Sequence, residues 1–338
     1  MTETSRALGA ALSALHLGLA FVLTQGFAAC AALAAEPAPK LTISYSEKVG
    51  DELPLWIAAD AGYFKRNGLD VTLRYLPAQE GIPALLTGQI QMASIGGADV
   101  LSAAAQGPKL KFVAGATPVF TFQLWAQPKH ASAKGLRGQR VGVPSTTGAL
   151  YTGTVLALRQ LGLKPSDVAI TSLGSVPNVN NALLAGSIVA AASHPPATYY
   201  FKEHGLIEMV DLPHKGIPSI IGGLVAKESY IKAQPMIVGA AVDAIVEAIH
   251  REKTDKAFSE TELSKYIHIT QQAALDFTYD FYTKEAAPSA MPKASELKVA
   301  QEALSATNLK VKNLDLASLI DQSFVKAAEQ RMNVQQRP

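Results

Sequence analysis

Cysteine is almost missing: Cys30 is the only one in the chain. That excludes a disulfide framework and a thiolate metal site. Charge is sparse as well, at 17% of residues, and balanced to a net +2. No basic stripe exists to follow a phosphate backbone, so nucleic acid is not an expected partner. Neither G-x-x-x-x-G-K-[ST] nor G-x-G-x-x-G occurs, so the marks of phosphate loops and dinucleotide folds are missing. No G-x-S-x-G elbow surrounds Ser145. His194, His204 and His214 recur every ten residues, which is no metal-ligand spacing. No catalytic set, metal site or cofactor is therefore expected.

Apolar residues are plentiful, at 48% of 338. That supports large cores, excludes disorder, and suits two domains better than one. The first 35 residues stand apart. No charge occurs between Arg6 and Glu36, and the apolar run ends in Ala32-Leu33-Ala34, an A-x-A pattern before Ala35. This is the pattern of a secretory signal over 1–35. The run is long enough to span a bilayer, but Thr24, Gln25, Gly26 and the alanine-rich end favour cleavage. Cys30 follows small residues and is a second, lipid-anchoring possibility. Phe27 is a poor start for such a site. Loss of the leader removes Glu3 and Arg6 and leaves the charge at +2.

A repeat organises the remainder. "ALLTGQIQMASIGGADVLSAAAQG" (84–107) and "ALLAGSIVAAASHPPATYYFKEHG" (182–205) begin 98 residues apart and share seven identities. Each is preceded by a helix stopping near a glycine and then an alternating strand. Both units predict strand, helix, strand, helix, strand. In the first these are 41–46, 53–66, 70–76, 79–87 and 90–95. In the second they are 139–143, 148–161, 167–173, 177–185 and 188–193. Alternating strands and helices imply an α/β fold with two parallel sheets, hence two lobes. Residues 110–128, around Pro118, carry the chain across, and 207–231 bring it back. The helical tail, about 232–335, packs on the first lobe. Expected boundaries are 36–117 with 219–338 for lobe one and 118–218 for lobe two. Two crossings make a hinge.

Ligands of open parallel sheets sit beyond the carboxyl ends of the strands. The segments there are "SEKVGDELP", "GGAD" (96–99), "PSTTG" (144–148), "SVPN" (175–178) and "HPP" (194–196). They are rich in helix-starting residues, and several helix N-termini aimed at one cleft suit an anionic or strongly polar small molecule. Capping alone explains many of these residue types. "STTG" has two hydroxyls beyond what one cap needs, which points to ligand contact. Trp56 could face cleft or core. Phe120, Phe122 and Trp125 fit the core better, Tyr151 could reach the cleft, and His194 ends a strand beside it.

"LPLWIAADAGYFKRNGLDVTL", "ALLTGQIQMASIGGADVLSAAAQGPKLKFVAG" and "GQRVGVPSTTGA" resemble the solute-binding proteins of nitrate, sulfonate, taurine and thiamine-precursor importers, the aliphatic-sulfonate-binding and NMT1/THI5-like group. The likeness covers about 40–230. It implies a type II-like periplasmic binding protein, two α/β lobes joined by two crossover strands with a helical C-terminal tail. It further implies an exported, periplasmic, monomeric chain that captures a small polar or anionic organic solute and delivers it to a membrane permease of an ABC importer. The group's ligand-contacting loops match Ser46 and Glu47, Gly96, Gly97 and Asp99, and Ser145, Thr146, Thr147 and Gly148. His194 joins them from the reading of the cleft. Two departures stand out. Gln91 and Val189 occupy places where the group often has an acid, and "SHPPAT" (193–198) is unusual. The cleft loops hold no arginine, and Lys48 is the nearby base. That disfavours a bare divalent anion against a small organic acid, an amino-sulfonate or a neutral heterocycle. The competing readings are an enzyme related to pyrimidine synthases of the same fold, which would need histidine and iron chemistry in the cleft, and a ligand-sensing subunit of a membrane receptor.

Overall fold

The computed structural model describes residues 37–306 and 308–335. The expected leader, with Cys30, lies outside them. Twelve named strands form two five-stranded sheets and a two-stranded ribbon. The first sheet runs in the order β2(Asp70–Tyr75), β1(Lys40–Tyr45), β3(Met92–Ile95), β12(Gly223–Lys227), β4(Leu110–Ala114). The second runs β10(Ile207–Asp211), β6(Gln123–Ala126), β9(Ala190–Ser193), β7(Arg140–Val143), β8(Ala169–Ser172). β5(Thr117–Val119) and β11(Pro218–Ile221) pair antiparallel as the ribbon where the chain crosses.

The expected sheets are parallel through β1, β2 and β3 and through β7, β8 and β9. Each also holds one reversed strand. β12 is antiparallel to both β3 and β4, and β6 to both β9 and β10. In both cases it is the first strand after a crossing, because a chain entering from the ribbon arrives at the carboxyl ends of the parallel strands and must run back along them. The two sheets have one topology, with one strand exchanged between lobes.

The helices between strands are α1(Leu53–Asp60), α2(Ala78–Thr87), α3(Gly97–Ala104), α4(Gly148–Gln160), α5(Val176–Leu184) and α6(Ala197–Glu203). The repeat falls on α2–β3–α3 and α5–β9–α6. Its shared glycines, Gly88 and Gly186, follow α2 and α5 with φ of 83° and 71°. The tail adds α7(Pro235–Thr254), α8(Lys256–Ile267), α9(Gln272–Asp280), α10(Lys298–Ser305) and α11(Ser323–Gln335). α7 and α8 pack on α1, and α7 also packs on α11. The tail also reaches the second lobe, where α10 touches α4 and α9 touches α6.

Trp56 belongs to the core. It is fully buried and stacks on Tyr266 with ring centroids 4.6 Å apart. Burying such a side chain contributes on the order of 2–3 kcal/mol. Phe120, Phe122 and Trp125 are buried as expected. Gln91, where the related group often has an acid, accepts the Thr42 N–H through its side-chain oxygen at 2.9 Å and joins β1 to the start of β3. Among the described residues no helix is long and apolar enough to cross a membrane.

Gly222, between β11 and β12, has φ +66°, and a Cβ there would lie 2.8 Å from the Asp51 carbonyl oxygen. The chain turns back here with no room for a side chain. Gly222→Ala is expected to cost about 1–3 kcal/mol from backbone strain and overpacking, read as a lower urea midpoint. An unchanged midpoint would mean that the ribbon yields without cost.

Candidate functional site

The loops after the parallel strands of both sheets face one another across a cavity of about 1270 Å³. Ser46, Glu47, Gly96, Asp99, Ser145, Thr147, Gly148 and His194 line it. Gly97 and Thr146 do not. Gly97 is buried against the tail, where a Cβ would meet Leu297 at 2.6 Å, and Thr146 is exposed. Tyr151 is also off the lining. Pro195 and Pro196 are joined by a cis bond at the end of β9.

The "STTG" loop uses most of its hydroxyl chemistry on itself. Ser145 Oγ donates to the Thr147 carbonyl at 2.8 Å and accepts the Thr147 N–H at 3.3 Å. Thr147 stands at the N-cap of α4, but its side chain makes no capping bond. A carboxylate from the other lobe stands there instead. Asp99, in the first turn of α3, sets its carboxylate against the start of α4, and its N–H donates to the Gly96 carbonyl at 3.2 Å. A carboxylate carried by the first turn of one lobe's helix thus stands at the positive end of the other's. Gly148 makes the approach possible. Its φ is +85°, and a Cβ would lie 2.9 Å from Asp99 Oδ1. The helix terminus expected to be open to a ligand anion therefore already holds a carboxylate. The N-terminus of α5 is likewise met, by Ser175 Oγ, which accepts the Asn178 N–H.

A second cross-lobe contact joins Glu47, after β1, to His194, after β9, with Oε2 and Nε2 3.5 Å apart. His194 is buried and its Nδ1 lies 3.2 Å from the Pro195 carbonyl. Burial opposes charge on this imidazole, but Glu47, with Asp51 beyond it, holds its pKa above the ordinary value.

Two buried acids, Asp51 and Glu52, also line the cavity, at the turn that opens α1. Asp51 Oδ2 accepts the Thr121 hydroxyl at 3.1 Å, and Glu52 Oε1 accepts the Ser46 N–H at 3.3 Å. The remaining oxygens, Asp51 Oδ1 and Glu52 Oε2, are buried without a hydrogen-bond partner. Burial pushes Asp51 up to about 6 and Glu52 up to about 8. Burial and the charge of Glu47 push Asp99 up to about 7. Sequence reasoning missed this pair. The available signal was two adjacent acids ahead of Leu53-Pro54 in a chain otherwise poor in charge. It also favoured the core for Phe122, which packs there and lines the cavity as well. Tyr75 and Tyr200 complete an aromatic part of the wall. Among the described residues no group of three His, Cys, Asp or Glu is placed to hold a metal ion.

The fold agrees with what the chain is similar to. It belongs to the NMT1/THI5-like family, whose profile matches residues 50–252. A Brucella abortus chain named as a candidate binding protein is 28% identical over 250 residues, covering 66% of this chain and 75% of its own. The alkanesulfonate-binding protein SsuA from Xanthomonas axonopodis pv. citri, solved bound to MOPS, superposes with a TM-score of 0.70 at 20% identity, over 86% of this chain and 100% of that one. The periplasmic nitrate-binding protein NrtA from Synechocystis also gives 0.70, at 13% identity, over 88% and 90%. At these identities the two structures establish a shared fold, the two-lobed periplasmic-binding-protein architecture.

The site makes stability depend on pH in a defined sense. Asp51, Glu52 and Asp99 hold protons in the folded chain at pH values where the unfolded chain, with ordinary values of 3.8 for Asp and 4.5 for Glu, has released them. Stability from these groups falls as pH rises through 4 to 8. His194, raised from 6.5, acts in the same sense, its contribution fading as pH climbs past its folded value. The melting temperature of ligand-free protein should therefore rise between pH 8 and pH 5.5, and Glu52→Gln should flatten the rise. A wild-type curve that falls on acidification would show that these carboxyls are not buried in solution.

Proposed function

We propose that the chain is the extracytoplasmic solute-binding protein of an ABC importer, a binder rather than an enzyme. It captures a small polar organic solute between lobes formed by 36–117 with 219–338 and by 118–218. The observation that carries this reading is the cavity itself. It lies between two sheets joined by a two-stranded ribbon, and its polar groups are divided between the lobes. Its volume of about 1270 Å³ far exceeds a bare inorganic ion and lies above the roughly 300–1000 Å³ of most small-molecule sites, leaving room for an organic solute. A ligand touching both lobes favours the closed arrangement by its extra affinity for that state, which is the signal a permease needs. Family membership and the candidate binding protein of Brucella abortus support the same reading. Export to the periplasm through the 1–35 leader, action as a monomer and docking on an inner-membrane permease follow from it. Ser46, Glu47, Gly96, Asp99, Ser145, Thr147, Gly148 and His194 are the proposed ligand-facing set, with Gly97 and Thr146 supporting the loops behind them.

The test is a thermal-shift screen of the purified protein against sulfonates, carboxylates, nitrate, amines, amino acids and pyrimidines, before and after refolding to remove any carried solute. A native-state ligand at a hundred times its Kd adds about 2.7 kcal/mol and raises the melting temperature by several degrees. No shift with any class after refolding would overturn the binding reading. With a ligand in hand, Ser145→Ala is expected to weaken affinity about 2–10-fold, the loss of one hydrogen bond's worth of loop order, and to leave the ligand-free melting temperature within about a degree. Unchanged affinity would remove the "STTG" loop from the site.

A further inference from the structure

The cavity wall is unusually one-signed for a site on helix N-termini. Glu47, Asp51, Glu52, Glu80 and Asp99 all line it. Against these five carboxyls stand His194, His204 and a single lysine. Lys48 does not enter the carboxylate group, because its ammonium lies over the Tyr75 ring, 5.3 Å from the centroid. His194 Nε2 lies 3.5 Å from Glu47 Oε2 without a hydrogen bond. Asp51 Oδ1 and Glu52 Oε2 are left buried on the lining with nothing to accept from. Unsatisfied buried carboxylate oxygens cost free energy unless a donor or a positive charge reaches them. The positive end of α4, which could have drawn in an anion, is occupied by Asp99.

We propose that the solute is an organic cation: an ammonium, amidinium or guanidinium group that enters among Glu47, Asp51, Glu52 and Asp99, carried on an apolar body that lies against Tyr75, Phe122 and Tyr200. This rests on the solute-binding reading and narrows it. A neutral donor could satisfy one unpaired oxygen but would leave the buried acids holding their protons. A cation satisfies the oxygens and neutralises the charge together. The aromatic wall suits a flat or methylated cation, since ring faces attract positive charge, and Tyr75 already holds the Lys48 ammonium in that way. An anion would meet the opposite arrangement: five acids and a helix terminus already filled.

The experiment is isothermal titration calorimetry on the purified full chain with three probes sharing one body, benzamidine, benzamide and benzenesulfonate, and the aliphatic series butylamine, butanol and butanesulfonate. Cation binding at least tenfold tighter than the neutral probe, with no heat from the sulfonate, is the expected result. Glu47→Gln, at a half-exposed position that tolerates the change, is expected to weaken the cation about tenfold. Asp99→Asn should do the same and raise the relative affinity of the sulfonate. Folding of both variants is checked by melting. A sulfonate or neutral probe that binds as well as the cation, or cation affinity unaltered in both folded variants, would overturn the inference and leave solute binding standing. Absence of heat from both cations at millimolar concentration would also overturn it. The broad screen above decides separately whether the chain binds solutes at all.

Discussion

The carboxylate of Asp99 holds the centre of this structure. It sits where the first turns of α3 and α4 converge, one helix from each lobe, carried by the first and set against Gly148 at the start of the second. Two helix termini with unpaired donors would otherwise face each other across the cavity. A single acid at that point sets negative charge against the positive end of α4, joins the lobes, and reverses the sign of the site. Gly148 exists to permit it, because any side chain there would collide with the carboxylate. Glu47 and His194 repeat the device a little further along, again with one partner from each lobe.

Around that point the molecule is nearly symmetric. The sheet order β2–β1–β3–β12–β4 corresponds strand for strand to β8–β7–β9–β6–β10. The repeat in the sequence is the trace of this correspondence. Gly96 and His194 occupy equivalent positions in it, which is why a glycine-rich turn faces a histidine-proline turn across the cavity. The asymmetry is chemical. The first lobe supplies the acids and the second supplies the imidazole and most of the loop hydroxyls. Closure of such a site depends on what stands between them, since each lobe presents the charge that the other lacks only in part.

Much of the fold was legible because it is written in local periodicity. Nine of the ten elements of the two repeat units lie within two residues of where alternation, helix stops and glycines put them, while the helix expected over 53–66 breaks at Gly62 into Leu53–Asp60 and Tyr63–Arg66; the crossings fall around Pro118 and after residue 207 as the apolar runs suggested. The reversed strands β6 and β12 were not legible. Direction within a sheet is set by where the chain enters it, and nothing in "FQLWA" or "GGLVAK" encodes that. The site was legible as a set of loops and not as chemistry. Asp51 and Glu52 look in sequence like ordinary acids opening a helix, and the turn that carries them is covered by Thr121 on Asp51, Gly222 against the Asp51 carbonyl and Tyr282 against Gly50, all far away in the chain. "STTG" looked like an open cradle because the residue that fills it, Asp99, lies almost fifty positions earlier. Trp56 was undecided in sequence because its stacking partner, Tyr266, belongs to a tail whose docking no local pattern specifies.

The exchanged strands carry a consequence for how the chain acquires its shape. β12 lies between β3 and β4, so the first sheet is split into two pieces until residues 223–227 arrive. All five strands of the second sheet precede that point. The amino-terminal half emerges first but is completed last, and a chain growing or threading from its amino end carries an open seam until its distal half is available. Contacts so distant along the chain form slowly. A polypeptide built in this way stays extended and passable through a narrow pore for longer than one whose domains close in order of synthesis.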